Sequence, residues 1–139
     1  MIQELSQVMT SDPVTLPTSA SILDAAQCMR AQDIGDVIVT DGGRMCGILT
    51  DRDIVVRAIA QGLDPATTTI AEVCSEEVVS LAPVAKVEEA VHVMREKALR
   101  RLPVTEDGKP VGVVSLGDLA LHRDRDSALA DISAAPPNQ

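Results

Sequence analysis

Two stretches of the chain set a glycine, a hydroxyl and a carboxylate at one spacing: Gly47-x-x-Thr50-x-x-Asp53 and Gly112-x-x-Ser115-x-x-Asp118. A hydroxyl and a carboxylate three residues apart form a compact group rich in hydrogen-bond acceptors. Two uses suit such a group. Each pair can cap a helix, the hydroxyl accepting a backbone N–H and the acid facing the positive end of the helix dipole, for about 1 kcal/mol. Alternatively the carboxylate can accept two adjacent hydroxyls, as proteins commonly hold a ribose, and the glycine then lets the backbone approach a ligand closely. Arg100 and Arg101 are the second constellation. Guanidinium forks suit phosphate oxygens, while a solvated charge pair is the plain alternative.

The two junctions match because the chain is written twice. A shift of 65 positions lays Gly47–Ile54 on Gly112–Leu119, and Ala25, Met29 and Arg30 on Ala90, Met94 and Arg95, without a gap from Leu5/Ile70 to Arg57/His122. Two copies are too few for an open solenoid, which needs about three. They are expected to close on each other about a pseudo-twofold axis, so that any pocket on the axis is lined by both. At the places of Arg100 and Arg101 the first copy carries Gly35 and Asp36. The halves are alike in pattern and unlike in charge.

With 139 residues the chain is one ordinary domain, built from two halves of about fifty residues that are each marginal alone. It has no Phe, Tyr or Trp. Its core is therefore aliphatic, and modules that stack bases on aromatic rings are excluded. A net charge of −9 repels phosphate backbones, so no nucleic-acid partner is expected. No run of about eighteen apolar residues suggests a membrane span, and Met1-Ile2-Gln3-Glu4 begins no signal peptide. The protein is expected to be cytoplasmic. Cys28, Cys46 and Cys74 lack CxxC spacing and read as reduced thiols packed like small apolar residues.

Each copy reads as strand, helix, strand, strand, helix. Short β-rich runs at Val14–Leu16 and Val78–Leu81 precede helical spacings at Ile22, Ala25, Ala26, Met29 and at Val87, Ala90, Val91, Met94. Ser21 with Asp24 predicts a capping box. Val37–Val39 and Leu102–Val104 are apolar runs expected to be buried on both faces. Asp41-Gly42-Gly43-Arg44 and Glu106-Asp107-Gly108-Lys109 predict hairpins leading to Cys46–Leu49 and Val111–Val114. Second helices are expected from Asp51 to about Ala60 and from Leu116 to about Arg123, with Gly62 as a helix stop. The expected organisation is repeat 1 over 5–60, a linker over 61–69, repeat 2 over 70–123, and a partly disordered tail over 124–139.

Other groups carry less. His92 and His122 have no ligand partners at metal spacing. No base is paired with a cysteine to activate it. Asp51 and Asp53 sit at i, i+2 and point apart on a helix, which speaks against paired catalytic carboxylates.

These residues together resemble the CBS domain, the motif named for cystathionine beta-synthase, and the whole chain resembles a stand-alone CBS pair, or Bateman module. The resemblance rests on Val8-Met9-Thr10, the Ala-x-x-x-Met-Arg helix, the Arg-Leu-Pro-Val strand and the doubled Gly-x-x-Thr/Ser-x-x-Asp junction, and spans about residues 5–122. The stretch Leu49–Ile54 continuing to Gly62–Pro65 resembles small bacterial members linked to stress or hypoxia. The resemblance implies an α/β fold of two pseudo-twofold-related βαββα repeats, pairing into a homodimer through their helices. It also implies two ligand clefts that frequently take adenosine nucleotides, with AMP, ADP and ATP as candidates and no required cofactor or metal.

Carried over by position, one cleft holds Thr50 and Asp53 for ribose with Arg100 and Arg101 for phosphate. With no ring available, adenine would lie among aliphatic groups and bond to backbone around Val14, Thr15 and Pro103. The second cleft holds Ser115 and Asp118, with Arg52 as its obvious cation. Asp36 and Asp51 near that site depart from the fullest family pattern and disfavour a phosphate there. The implied function is a regulatory nucleotide sensor rather than an enzyme, acting through dimer packing or an effector protein. The alternative is a protein–protein interaction or stress-response module with vestigial clefts, in which the junction residues serve only as caps. A dimer face is expected from Ile54, Val55, Ala58 and Ile59 with Leu119, Ala120 and Leu121.

Overall fold

The computed structural model describes residues 3–75 and 79–123, and side chains only as far as Leu119 in the last helix. The expected tail over 124–139 lies outside the described residues. In chain order the elements are β1 (Thr10–Ser11), β2 (Thr15–Pro17), α1 (Ile22–Gln32), β3 (Asp36–Asp41), β4 (Arg44–Thr50), α2 (Asp51–Asp53), α3 (Val87–Lys97), β5 (Arg101–Glu106), β6 (Lys109–Ser115) and α4 (Leu116–Arg123). A π-helical run, Ile54–Ile59, continues α2, and 3-10 turns cover Leu5–Gln7 and Ile70–Glu72. The expected mixed α/β repeats are present.

The described residues form two compact units, one of residues 13–75 and the other of residues 3–12 with 79–123. The units are not the sequence repeats. The opening of the chain belongs with the second repeat's strands, and the residues around 70–75 belong with the first's.

In the first of these units the sheet order is β2-β3-β4, with β2 parallel to β3 and β3 antiparallel to β4. Helix α1 makes the crossover between β2 and β3 and packs on β3. The expected capping box forms: Asp24 N–H donates to Ser21 Oγ at 3.0 Å and Ser21 N–H to Asp24 Oδ2 at 3.3 Å. Ile22, Ala25, Met29, Val37, Val39 and Leu49 make the core together with Ile70 and Val73. Each fully buried aliphatic side chain of this size contributes about 1.5–3 kcal/mol.

The stretch joining the repeats is folded against α1 rather than hung between them. Ile22 N–H donates to Thr68 O at 2.9 Å, Leu23 N–H to Pro65 O at 3.0 Å, and Ile70 N–H to Ala20 O at 2.8 Å. Gly62 adopts φ +76, the left-handed conformation expected of a helix stop.

The other unit has the sheet order β1-β6-β5, both pairings antiparallel. Leu5, Val87, Ala90, Met94, Leu102, Val104, Val114 and Leu119 form its core. Both long hairpins turn with two residues at positive φ, Gly42 and Gly43 in one and Asp107 and Gly108 in the other, as the two-residue type I′ turn demands. Both carry a register shift at the same place, Val39/Thr40 and Val104/Thr105. The runs at 37–39 and 102–104 are wholly buried, as expected of strands covered on both faces.

Three expectations change. The helix expected over 51–60 is α-helical for one turn and then π-helical, with Ala60 N–H donating to Val55 O at 2.9 Å, five residues back. Among the described residues the second copy's first strand is reduced to a single bridge, Leu81 with Val104, and Val78 lies outside them. Proline supplies a reason: Ile38 N–H donates to Val14 O at 3.1 Å, but the matching residue, Pro103, has no N–H to give. The expected dimer face is also redrawn. Ile54, Ala58 and Leu119 are buried in their own cores, while Val55, Val56 and Ile59 are exposed. Ala120 and Leu121 lie beyond the described side chains.

Candidate functional site

Each junction is built by a β-hairpin running straight into a helix. Thr50 ends β4 in extended conformation (φ −108, ψ 162), and its hydroxyl accepts the N–H of Asp53 at 3.0 Å. Asp53 returns the bond through Oδ2, accepting Thr50 N–H at 3.0 Å. The second junction repeats this: Asp118 N–H donates to Ser115 Oγ at 3.0 Å, and Ser115 N–H to Asp118 Oδ2 at 3.2 Å. All four residues are half-buried. Capping is therefore realised at both junctions, and one oxygen of each carboxylate is committed to it.

Register fixes the flanks. Thr50 pairs across the sheet with Asp36, and Ser115 with Arg101. Asp51 N–H donates to Gly35 O at 2.9 Å, as Leu116 N–H donates to Arg100 O at 2.8 Å. The first junction is thus flanked by Asp36 and Asp51, the second by Arg101 and the backbone of Arg100. Arg101 therefore stands across the sheet from Ser115, at the end of β6. Thr50, Asp53, Arg52, Val14 and Thr15 fall in the first unit, and Arg100, Arg101, Pro103, Ser115 and Asp118 in the other. Arg52 and Arg100 are exposed and Arg101 is half-buried. Val14 O is taken by Ile38 N–H, Thr15 is exposed in β2, and Pro103 is buried in β5 with its carbonyl accepting Leu81 N–H at 3.2 Å.

The glycines of the motif do something other than admit a ligand. A Cβ on Gly47 would collide with the carbonyl oxygen of Ser75, and one on Gly112 with Met9 Sδ, with Thr10 O 3.0 Å away. Met9 and Thr10 stand 65 positions before Cys74 and Ser75. The close approach is thus by the chain itself, and the same exchange occurs in both units.

Sequence reasoning also passed over Arg57. Its Nε stands 3.7 Å from Asp53 Oδ1, and its guanidinium donates to Val73 O at 3.5 Å. The i, i+4 spacing from Asp53 was the signal that could have found it. Cys46 packs beside Val39, its thiol 3.5 Å from that carbonyl, and burial followed by the nearby Asp41 carboxylate pushes the thiol above its ordinary pKa. That direction suppresses thiolate chemistry. His92 Nε2 lies 3.0 Å from Glu96 Oε2 on exposed helix surface. Among the described residues no group of three or more His, Cys, Asp or Glu could hold a metal ion, and no helix is long and apolar enough to cross a membrane.

Known proteins share both the doubled pattern and the fold. The CBS domain model matches twice, at residues 5–59 and 70–124. The CBS domain-containing protein YhcV of Bacillus subtilis is 37% identical over 136 residues, covering 95% of this chain and 96% of that protein. Hypoxic response protein 1 of Mycobacterium tuberculosis is 42% identical over 99 residues, 70% of this chain and 69% of that protein. A crystal structure of a hypoxic response protein I with two coordinated zinc ions superposes with a TM-score of 0.79 at 34% identity, over 86% of this chain and 98% of that one. The CBS pair of protein MJ0100, solved with 5′-methylthioadenosine and S-adenosyl-L-methionine, shares the fold at a TM-score of 0.79 and 24% identity, covering 91% of this chain and all of that one. The chain belongs to the CBS-domain family, as a tandem CBS pair of the regulatory type.

Proposed function

We propose that this CBS pair is a sensor of an adenosine nucleotide (AMP, ADP or ATP), that it is not catalytic, and that it signals through homodimer packing or an effector protein. The observation that carries the reading is the doubled junction: a half-buried hydroxyl and carboxylate held in fixed mutual orientation at the end of a strand, twice. In this reading Asp53, steadied by Thr50, accepts ribose hydroxyls, Arg100 and Arg101 take phosphate, and Val14, Thr15 and Pro103 stand near adenine. Ser115 and Asp118, with Arg52, form a weaker second site. The adenosine compounds held by the CBS pair of MJ0100 support the fold's suitability for such ligands. A ligand regulates only through its differential affinity for two states, so the nucleotide must favour one dimer packing or partner-binding state over another.

Two observations favour a second reading, an interaction module with vestigial clefts. Both carboxylates are already engaged in capping, and Val55, Val56 and Ile59 expose apolar surface on one π-helical run. A thermal-shift series with AMP, ADP, ATP and S-adenosylmethionine separates the two, because a ligand that binds only the folded state raises its apparent stability. A rise with a nucleotide supports the sensor. No rise with any of the four, together with a dimeric mass by light scattering, supports the interaction module.

A further inference from the structure

Each oxygen of the Asp53 carboxylate has a different partner. Thr50 N–H fixes Oδ2 at 3.0 Å, and Arg57 Nε faces Oδ1 at 3.7 Å. An aspartate's last torsion is broad and roughly two-fold, so one point of attachment leaves the plane of the carboxylate free to turn. An ionic partner at the other oxygen biases it toward one orientation. The Asp53 side chain is 15% exposed and that of Arg57 54%, so the guanidinium approaches from the solvent side. As an exposed ion pair it contributes little to stability. Its other contact is with the carbonyl of Val73, a residue of the segment that opens the second sequence repeat yet packs in this core.

We propose that Arg57 is the positioning residue of the Asp53 site: it sets the carboxylate's plane toward ligand hydroxyls and ties that setting to the segment around Val73. The proposal rests on the nucleotide reading of Asp53. It also distinguishes the two junctions, since the residue 65 positions on is His122, which carries no guanidinium. On this proposal Arg57 acts through Asp53 and not on phosphate. Its removal must therefore weaken a nucleoside and a nucleotide alike.

The test is calorimetric titration of the full chain with AMP and with adenosine, for wild type, Arg57→Gln, Arg57→Lys, Asp53→Ala and the double variant Arg57→Gln/Asp53→Ala. Arg57→Gln is expected to weaken both ligands by the same factor, about tenfold, within the range of coupling between contacting residues. Arg57→Lys should recover part of the loss, keeping the charge without the second donor. In the Asp53→Ala background Arg57→Gln should change nothing further, which a general structural role would not produce. Three results overturn the proposal while wild type still binds: full affinity in Arg57→Gln, a loss confined to AMP, or a loss that persists without Asp53. Failure of wild type to bind AMP, ADP, ATP or adenosine removes the nucleotide reading and this proposal together. If Arg57→Gln does not fold, Arg57→Lys carries the same cycle.

Discussion

The carbonyl oxygen of Ser75 stands against Gly47 at the place where any other residue would carry its Cβ. Ser75 N–H donates to Ile48 O at 3.1 Å and its carbonyl accepts Ile48 N–H at 3.3 Å, so a segment from the start of repeat 2 is bonded onto a strand of repeat 1. In the other unit β1 pairs with β6 in the corresponding way, Thr10 with Val113 and Ser11 with Gly112. The motif glycines are therefore structural before they are anything else.

Gly47→Ala is expected to destabilise the chain by about 3 kcal/mol and Gly112→Ala by about 1 kcal/mol, the two ends of the usual overpacking range. The order follows from what blocks each new methyl: backbone at Gly47, and chiefly the flexible Met9 thioether at Gly112. Urea unfolding at unchanged m-value measures both. An equal or larger loss at Gly112 contradicts the account.

Fragments should fold by compact unit and not by repeat. A fragment of residues 13–78 retains Ile70 and Val73, both buried in the core it would keep, whereas a fragment of residues 5–60 lacks them. Cooperative unfolding by circular dichroism is expected for the first and its absence for the second. Losing two such core side chains removes about 3–6 kcal/mol, enough to erase the stability of a marginal half.

Under the proposed function Asp53→Ala should weaken an adenine nucleotide by about ten- to a hundredfold, since hydrogen bonds to charged groups contribute about 1.5–3 kcal/mol. Asp118→Ala should do less. Arg101→Ala should weaken a nucleotide far more than its nucleoside, and that difference should shrink in high salt as screening weakens the contact. Calorimetric titration decides. A greater loss at Asp118 than at Asp53 would move the working site to the second junction, where Arg101 lies across from Ser115.

A homodimer through the exposed residues of the π-helical run should be separable by charge. Val55→Glu and Ile59→Glu, at 59% and 52% exposed positions, are expected to yield folded monomers by light scattering with an unchanged far-ultraviolet spectrum. Ala58→Glu, at a fully buried position, is expected to unfold the chain instead, because it buries an unpaired charge. Dimers that survive both exposed substitutions would place the interface elsewhere.

Local patterns alone determine much of this protein. Ser21 with Asp24, Thr50 with Asp53, and Ser115 with Asp118 announce their capping boxes because each bond closes within three residues. The turns at Gly42-Gly43 and Asp107-Gly108 need only positive φ at their own positions. The buried runs at 37–39 and 102–104 are legible from continuous apolarity, and the family from a doubled motif. What lay outside the reach of the sequence is non-local. Nothing near Gly47 announces Ser75, nothing near Gly112 announces Met9, and Arg57 meets Val73 sixteen residues away. Ile54 and Ala58 face inward while Val55 and Ile59 face out, each pair four residues apart, and which pair meets the core is set by the packing of the run rather than by its largely apolar sequence. Spacing along the chain decides contacts within a turn or two. The exchange of segments between repeats is decided by which packing buries the most apolar surface, a property of the whole fold.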